Sequence, residues 1–228
     1  ANHATINGAT WSTETPILFQ PQTREELQAA VDLWVDDEAT ALATYGDISV
    51  WDVSLTTSMR DLFADKASFN SDISAWNVSA VTDMINMFKN ATSYNGNLSS
   101  WDVSNVNYMA SMFEGATSFN GDLSLWDVSS VTNMSYMFNN ATSFNGDLSS
   151  WDVSNITGMT GVFSGATNFN GNISSWDVSA VTNVGEMFKD ATSFDGDLSS
   201  WDVSSVTNMN YMFNNATSFN GDLSSWDV

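Results

Sequence analysis

The stretch Phe144 to Ser154, FNGDLSSWDVS, decides the architecture, because it returns every 25 residues along most of the chain. Its tryptophan recurs as Trp51, Trp76, Trp101, Trp126, Trp151, Trp176, Trp201 and Trp226 without a slip. A fixed period of this length marks stacked supersecondary units, none of which can bury its apolar side alone. The array runs from about Tyr45 to Val228 and holds seven full units and a partial one. Within a unit, Trp151 and Val153 alternate with Ser150, Asp152 and Ser154, the period-two pattern of a short strand with Trp and Val inward. Val131, Met134, Met137 and Phe138 fall on one face of a short helix of about two turns, which Ser129 or Thr132 can cap. Asn90, Gly115, Asn140, Gly165, Asp190 and Asn215 share one register at the end of that helix, and these types tolerate the left-handed backbone that stops one. Ala141 and Phe144 pack beneath a return loop whose tight turn is Asn145-Gly146. The reading is an α/β solenoid, with one short strand and one short helix per coil. The Met and aromatic columns form its core.

Residues 1–44 lie outside the repeat and read as an N-terminal capping region. Thr23 and Glu26 have capping-box spacing. Leu27, Ala30, Val31 and Trp34 then line one face of an amphipathic helix over about 23–35, suited to covering the first coil. That coil is the least regular, with Thr56 in place of Val and Lys66 in place of Ala. The C-terminal side ends within the strand motif, so we expect either more chain or a second subunit over that end.

The repeat text F-N-x-D-[LI]-S-x-W-[DN]-V-S-x-V-T-x-M-x-x-M-F-x-x-A-T-S resembles the BspA-like surface repeat, and it covers about 184 of the 228 residues. The resemblance implies a leucine-rich-repeat-like solenoid on a secreted or cell-surface protein, with Trp at the second Leu position of the repeat. It implies adhesion or recognition only loosely.

Composition narrows the function classes. The chain carries 5 Lys and Arg against 27 Asp and Glu, a formal charge of −22, and 43% of its residues are hydrophobic. Nucleic acid is a poor partner for such a surface, since phosphate binding draws on clustered Lys and Arg. No apolar run reaches the roughly 18 residues of a membrane span. With no Cys there is neither a disulfide framework nor thiol chemistry. The chain begins at Ala1 rather than Met, as either removal of a signal peptide or trimming of a longer sequence would leave it. His3 is the one histidine, so triad and His-metal arrangements are missing. Carboxylate pairs recur identically in every coil, whereas acid–base catalysis needs one pair whose environments drive its pKa values apart. We therefore read the protein as non-enzymatic.

Two acidic columns are the candidate binding features. One precedes the strand and includes Asp122 and Asp147; the other follows Trp and includes Asp102, Asp127, Asp152, Asp177 and Asp202. Carboxylates ~4.8 Å apart on adjacent coils repel by ~0.9 kcal/mol in water. Three arrangements relieve this: hydrogen bonding at turns, Ca²⁺ held between coils, or a partner of positive charge. These seven aspartates are the Ca²⁺ candidates, although Asn77, Asn97 and Asn172 interrupt the columns. Asn70, Asn95, Asn120, Asn145, Asn170, Asp195 and Asn220 read as an internal amide ladder between coils. Among the N-x-[ST] sequons, Asn90, Asn140 and Asn215 are the best placed for glycans.

The outward Ser and Asp positions repeat as faithfully as the core. We read this as a surface scaffold for adhesion or assembly through a uniform acidic face, meeting a polymer, a mineral or ion layer, or copies of itself. The alternatives are a calcium-stabilised filament or surface-layer subunit, and a specific protein- or glycan-recognition module in which Leu125, Glu114, Lys89, Lys189 and Glu186 carry the contacts.

Overall fold

A computed structural model describes residues 3–6, 9–12 and 18–227, with side chains from residue 18 onward. The chain opens with an antiparallel hairpin of β1 (His3–Ile6) and β2 (Ala9–Ser12). Two helices follow, α1 (Arg24–Asp36) and α2 (Glu38–Tyr45), and then a single 3-10 turn, Ile48–Val50. From there to residue 227 the described chain is a stack of turns.

This corrects the expected coil. Neither the strand nor the helix of a leucine-rich-repeat-like α/β solenoid is present in the described repeats. Parallel pairing reduces to one bridging residue per coil, running through Ser58, Asp83, Tyr108, Asn133, Gly158, Asn183 and Asn208. The backbone shows why. Over Met134–Ala141 the N–H groups divide by parity. Those of Met134, Tyr136, Phe138 and Asn140 donate to Gly158, Thr160, Val162 and Ser164 of the next coil. Those of Met137, Asn139 and Ala141 close turns on Met134, Tyr136 and Phe138. The third residue of two of these turns takes positive φ, +59° at Tyr136 and +56° at Asn140, as type II turns require. A two-turn helix has few internal bonds to offset its nucleation cost. Alternate donation lets the same residues bond to their own turn and to the neighbouring coil.

The Trp-x-Val segment is extended but carries no backbone bond between coils within the regular repeats. Side chains tie it instead. The indole Nε1–H of Trp151 donates to the carbonyl of Leu123 in the preceding coil, at 3.0 Å, and the pattern continues with Trp126 to Leu98 and Trp176 to Leu148. Trp126, Trp151, Trp176, Trp201 and Trp226 stack with centroids 6.4–6.5 Å apart and planes within 6°. Two further ring columns run beside them, such as Phe113–Phe138 at 5.7 Å and Phe119–Phe144 at 6.0 Å. The inward set of one coil, Trp126, Val128, Val131, Met134, Met137, Phe138, Ala141, Phe144 and Leu148, is at most 2% exposed. Offset stacking adds to what their burial contributes.

Residues 18–45 meet the first coil with substitutes for the coil that would precede it. Helix α1 buries Leu27, Ala30, Val31 and Trp34, and Thr23 caps it through the N–H of Glu26. Gln28 donates to the carbonyl of Leu62 at 3.2 Å, and the guanidinium of Arg24 to that of Arg60. In inner coils the equivalent carbonyls are taken by backbone N–H groups. Trp34 sits edge-on to Trp51 at 5.9 Å. The irregular residues of the first coil face this cap. Lys66 pairs with Asp32 at 2.6 Å, and Ser71, where later coils carry Gly, accepts from Trp34 Nε1.

Replacing the indole donor tests this scheme. Trp151→Phe keeps an aromatic ring but leaves the Leu123 carbonyl buried and unpaired, so we expect a loss of about 1–3 kcal/mol in urea unfolding. Tyr94→Phe should be neutral or stabilising in the same assay. Its hydroxyl is buried without a partner, which also pushes its pKa up.

Candidate functional site

Local turns consume the acidic columns. Asp152 Oδ1 accepts the backbone N–H of Ser154 at 3.1 Å and its hydroxyl at 2.6 Å. Asp102, Asp127 and Asp177 make the same pair of bonds with Ser104, Ser129 and Ser179. Asp202 accepts the N–H of Ser204, and Asp122 and Asp147 those of Ser124 and Ser149. These are Asx turns, in which a short acceptor two residues back mimics a backbone turn. In Asp102, Asp127, Asp152, Asp177 and Asp202 the serine hydroxyl is the leading cause that holds the carboxyl below its ordinary value; in Asp122 and Asp147 it is the serine N–H. The charge of a neighbouring aspartate works the other way, as Asp127 does on Asp152. The seven proposed Ca²⁺ ligands thus point outward in separate turns. Among the described residues no three acidic or His side chains converge as a metal ligand set.

The asparagine column does run from coil to coil, with Asn120 Oδ1 accepting the N–H of Asn145 at 2.8 Å. It differs from the expectation in being exposed rather than internal. The sequon residues Asn90, Asn140 and Asn215 are exposed and take positive φ of +57°, +56° and +60°. Their Nδ2 groups are engaged by Asp65, Asn139 and Asp190, each at 2.8 Å. A glycan on any of these nitrogens would leave one of its two hydrogens for such a bond.

The parallel ladder sits elsewhere, on the positions seven to fourteen residues after each Trp. Here the outward side chains change from coil to coil. Asp83, Tyr108, Asn133, Gly158 and Asn183 form the bridge column, and Asn86, Ser111, Tyr136, Gly161 and Glu186 form the positive-φ column beside it. Tyr108 is 47% exposed and Tyr136 38%. The ring of Tyr136 lies against Gly161, where an added Cβ would stand 2.6 Å from Cδ1 and Cε1. The Gly therefore lets the ring lie flat across two coils. Ser164 of the same coil is 6% exposed. Lys89 reaches Glu114 across coils at 3.1 Å, and Glu186 pairs with Lys189 at 3.1 Å. Arg60 pairs with Asp83 at 2.9 Å.

Reading the sequence found Lys89, Glu114, Lys189 and Glu186 as departures but missed Tyr108 and Tyr136. With the strand expected at Trp-x-Val, nothing in the repeat text singles out these columns as the ones that run from coil to coil. Leu125 lies apart from this face. It is 78% exposed and stands where Ser150 and Ser175 bond back to the preceding coil.

No described helix is long and apolar enough to cross a membrane. The profile of a family described as "Mycoplasma protein of unknown function, DUF285" matches residues 35–151 and 141–228. No curated protein and no solved structure matches the chain.

The turn hydrogen bonds make a titration prediction. A carboxyl whose folded pKa lies below its unfolded value stabilises the fold above about pH 3.9, and that contribution is lost as pH falls through the folded value. Ser154→Ala removes the leading cause for Asp152, so NMR titration should show the Asp152 pKa rising toward the ordinary aspartate value while that of Asp177 stays in place.

Proposed function

We propose that this chain, which belongs to the DUF285 family, is a non-enzymatic extracellular or cell-surface binding scaffold that recognises its partner with the ladder face. The observation that carries this reading is where the repeats vary. Ser154 is the same in every coil, and Asp152 and Asn145 are replaced only by Asn77 and Asp195 in their columns, because these side chains are committed to turns and to coil-to-coil bonds. Their constancy has a structural cause and needs no repetitive ligand. At the ladder Asp83, Asn133, Asn183 and Asn208 close turns of the same kind, but Tyr108 and Gly158 in that column and Ser111, Tyr136 and Gly161 beside it do not, so side chains of different size and chemistry succeed one another there. A rigid scaffold with diversified outward side chains is the arrangement of solenoid recognition proteins. Tyr108 and Tyr136 offer large contact area with little conformational entropy to lose, and the Lys–Glu pairs flank them. The −22 charge favours a partner of positive or neutral character and makes its association rate fall with salt. The extracellular placement rests on the resemblance of the repeat to surface proteins.

The supporting experiment screens the chain against a glycan array and a panel of basic proteins, then repeats any binding with variants. Tyr108→Ala and Tyr136→Ala should each weaken it by about 2 kcal/mol, roughly thirtyfold. Asp127→Asn and Ser129→Ala should leave it in place. The opposite pattern would return the interaction to the Ser/Asp face.

A further inference from the structure

Five Asn-Gly steps occupy one column of the return loop, Asn95-Gly96, Asn120-Gly121, Asn145-Gly146, Asn170-Gly171 and Asn220-Gly221, and the first four are each bonded by the coil that follows. In a flexible chain this dipeptide is chemically labile, because Gly has no side chain to keep its main-chain nitrogen from the preceding Asn Cγ. That nitrogen bonds to Cγ and its proton is lost. The Cγ–Nδ2 bond breaks, and Nδ2 departs as ammonia to leave a cyclic imide. Water then opens the imide at one carbonyl to give aspartate, or at the other to give isoaspartate, in which the main chain runs through the side-chain carbon.

The stacked coils obstruct the first step. The carboxamides of the first four are anchored through Oδ1 by the N–H one coil later: Asn120 to Asn95 at 2.9 Å, Asn145 to Asn120 and Asn170 to Asn145 at 2.8 Å, and Asp195 to Asn170 at 2.9 Å. Each Gly is wedged as well. A Cβ on Gly146 would lie 3.0 Å from the Phe144 ring, and one on Gly171 would lie 2.6 Å from the Gly146 carbonyl oxygen. The asparagines are exposed, so water and base reach them and burial is not what protects them. Asp195 already stands in the column and keeps both contacts, donating to Asn170 and accepting from Asn220 at 2.8 Å. The aspartate product therefore fits. Isoaspartate adds a main-chain carbon to a coil whose neighbours all repeat in 25 residues, and it cannot restack in register.

We propose that these four asparagines are deamidation sites gated by coil stacking. A coil that opens is marked by a new carboxylate, and the isoaspartyl fraction is barred from closing again. The test incubates the full chain in mildly alkaline buffer, folded and in urea, and follows each Asn by peptide mass spectrometry. In the folded chain conversion should be at least about tenfold slower than in urea, which corresponds to about 1.4 kcal/mol of opening cost. Equal rates in the two states would overturn the proposal. Asn145→Asp should fold with an unchanged circular dichroism spectrum and a melting midpoint near that of the wild type. A collapse of that midpoint would show that the column rejects aspartate and would refute the accommodation of the product.

Discussion

Each coil is fastened to the one before it by an indole N–H that crosses the boundary and ends on a buried carbonyl. The bond from Trp151 to Leu123 spans 28 residues of sequence but only one step of the stack. It satisfies two polar groups that the core would otherwise leave unpaired, at a place where the backbone offers no ladder. The constraint it imposes is strict register. An inserted residue would move the indole off its acceptor and shift the ring columns, the parity of the N–H groups and the amide ladder with it. This is the physical reason that the 25-residue interval never slips.

Register explains the division between the two surfaces. On the Ser/Asp side, side chains do what backbone does in an ordinary sheet, so their identity is fixed by geometry. On the ladder side the backbone bonds to its neighbours directly, so the turn bonds of Asp83, Asn133 and Asn183 are not needed in every coil, and Tyr108 and Gly158 take the same position. The positive-φ column illustrates how far that freedom goes. Ser111, Tyr136 and Glu186 hold φ of +55°, +59° and +58°, a conformation that costs such residues something. The bonds made on both sides of each turn hold them there. A scaffold that tolerates Tyr and Glu at such a position can vary its surface without altering its coil.

The inward set was legible in the sequence because burial depends on composition and period alone: Leu148, Trp151, Val153, Met134, Met137 and Phe138 are all in the core. The column of Asn90, Gly115 and Asn140 was legible as left-handed backbone because those residue types announce it. The local structure between them was not. Val131, Met134, Met137 and Phe138 have helical spacing, yet the same spacing serves consecutive three-residue turns, since both place every third or fourth residue on one side. What separates them is the second positive-φ column, and Ser111, Tyr136 and Glu186 give no sign of it. The strand expected at Trp-x-Val drew attention to the Ser/Asp face, whose repetition follows the turns its side chains close.

The tryptophan column also has an optical consequence. Identical chromophores held parallel at 6.5 Å exchange excitation faster than they emit, so light absorbed by Trp126 belongs to the stack rather than to that residue. Because the rings are parallel, transfer along the column changes which residue emits while largely keeping the polarisation of the emission. Opening one inner coil cuts the stack into two shorter oscillators, giving the protein a built-in spectroscopic measure of its own continuity.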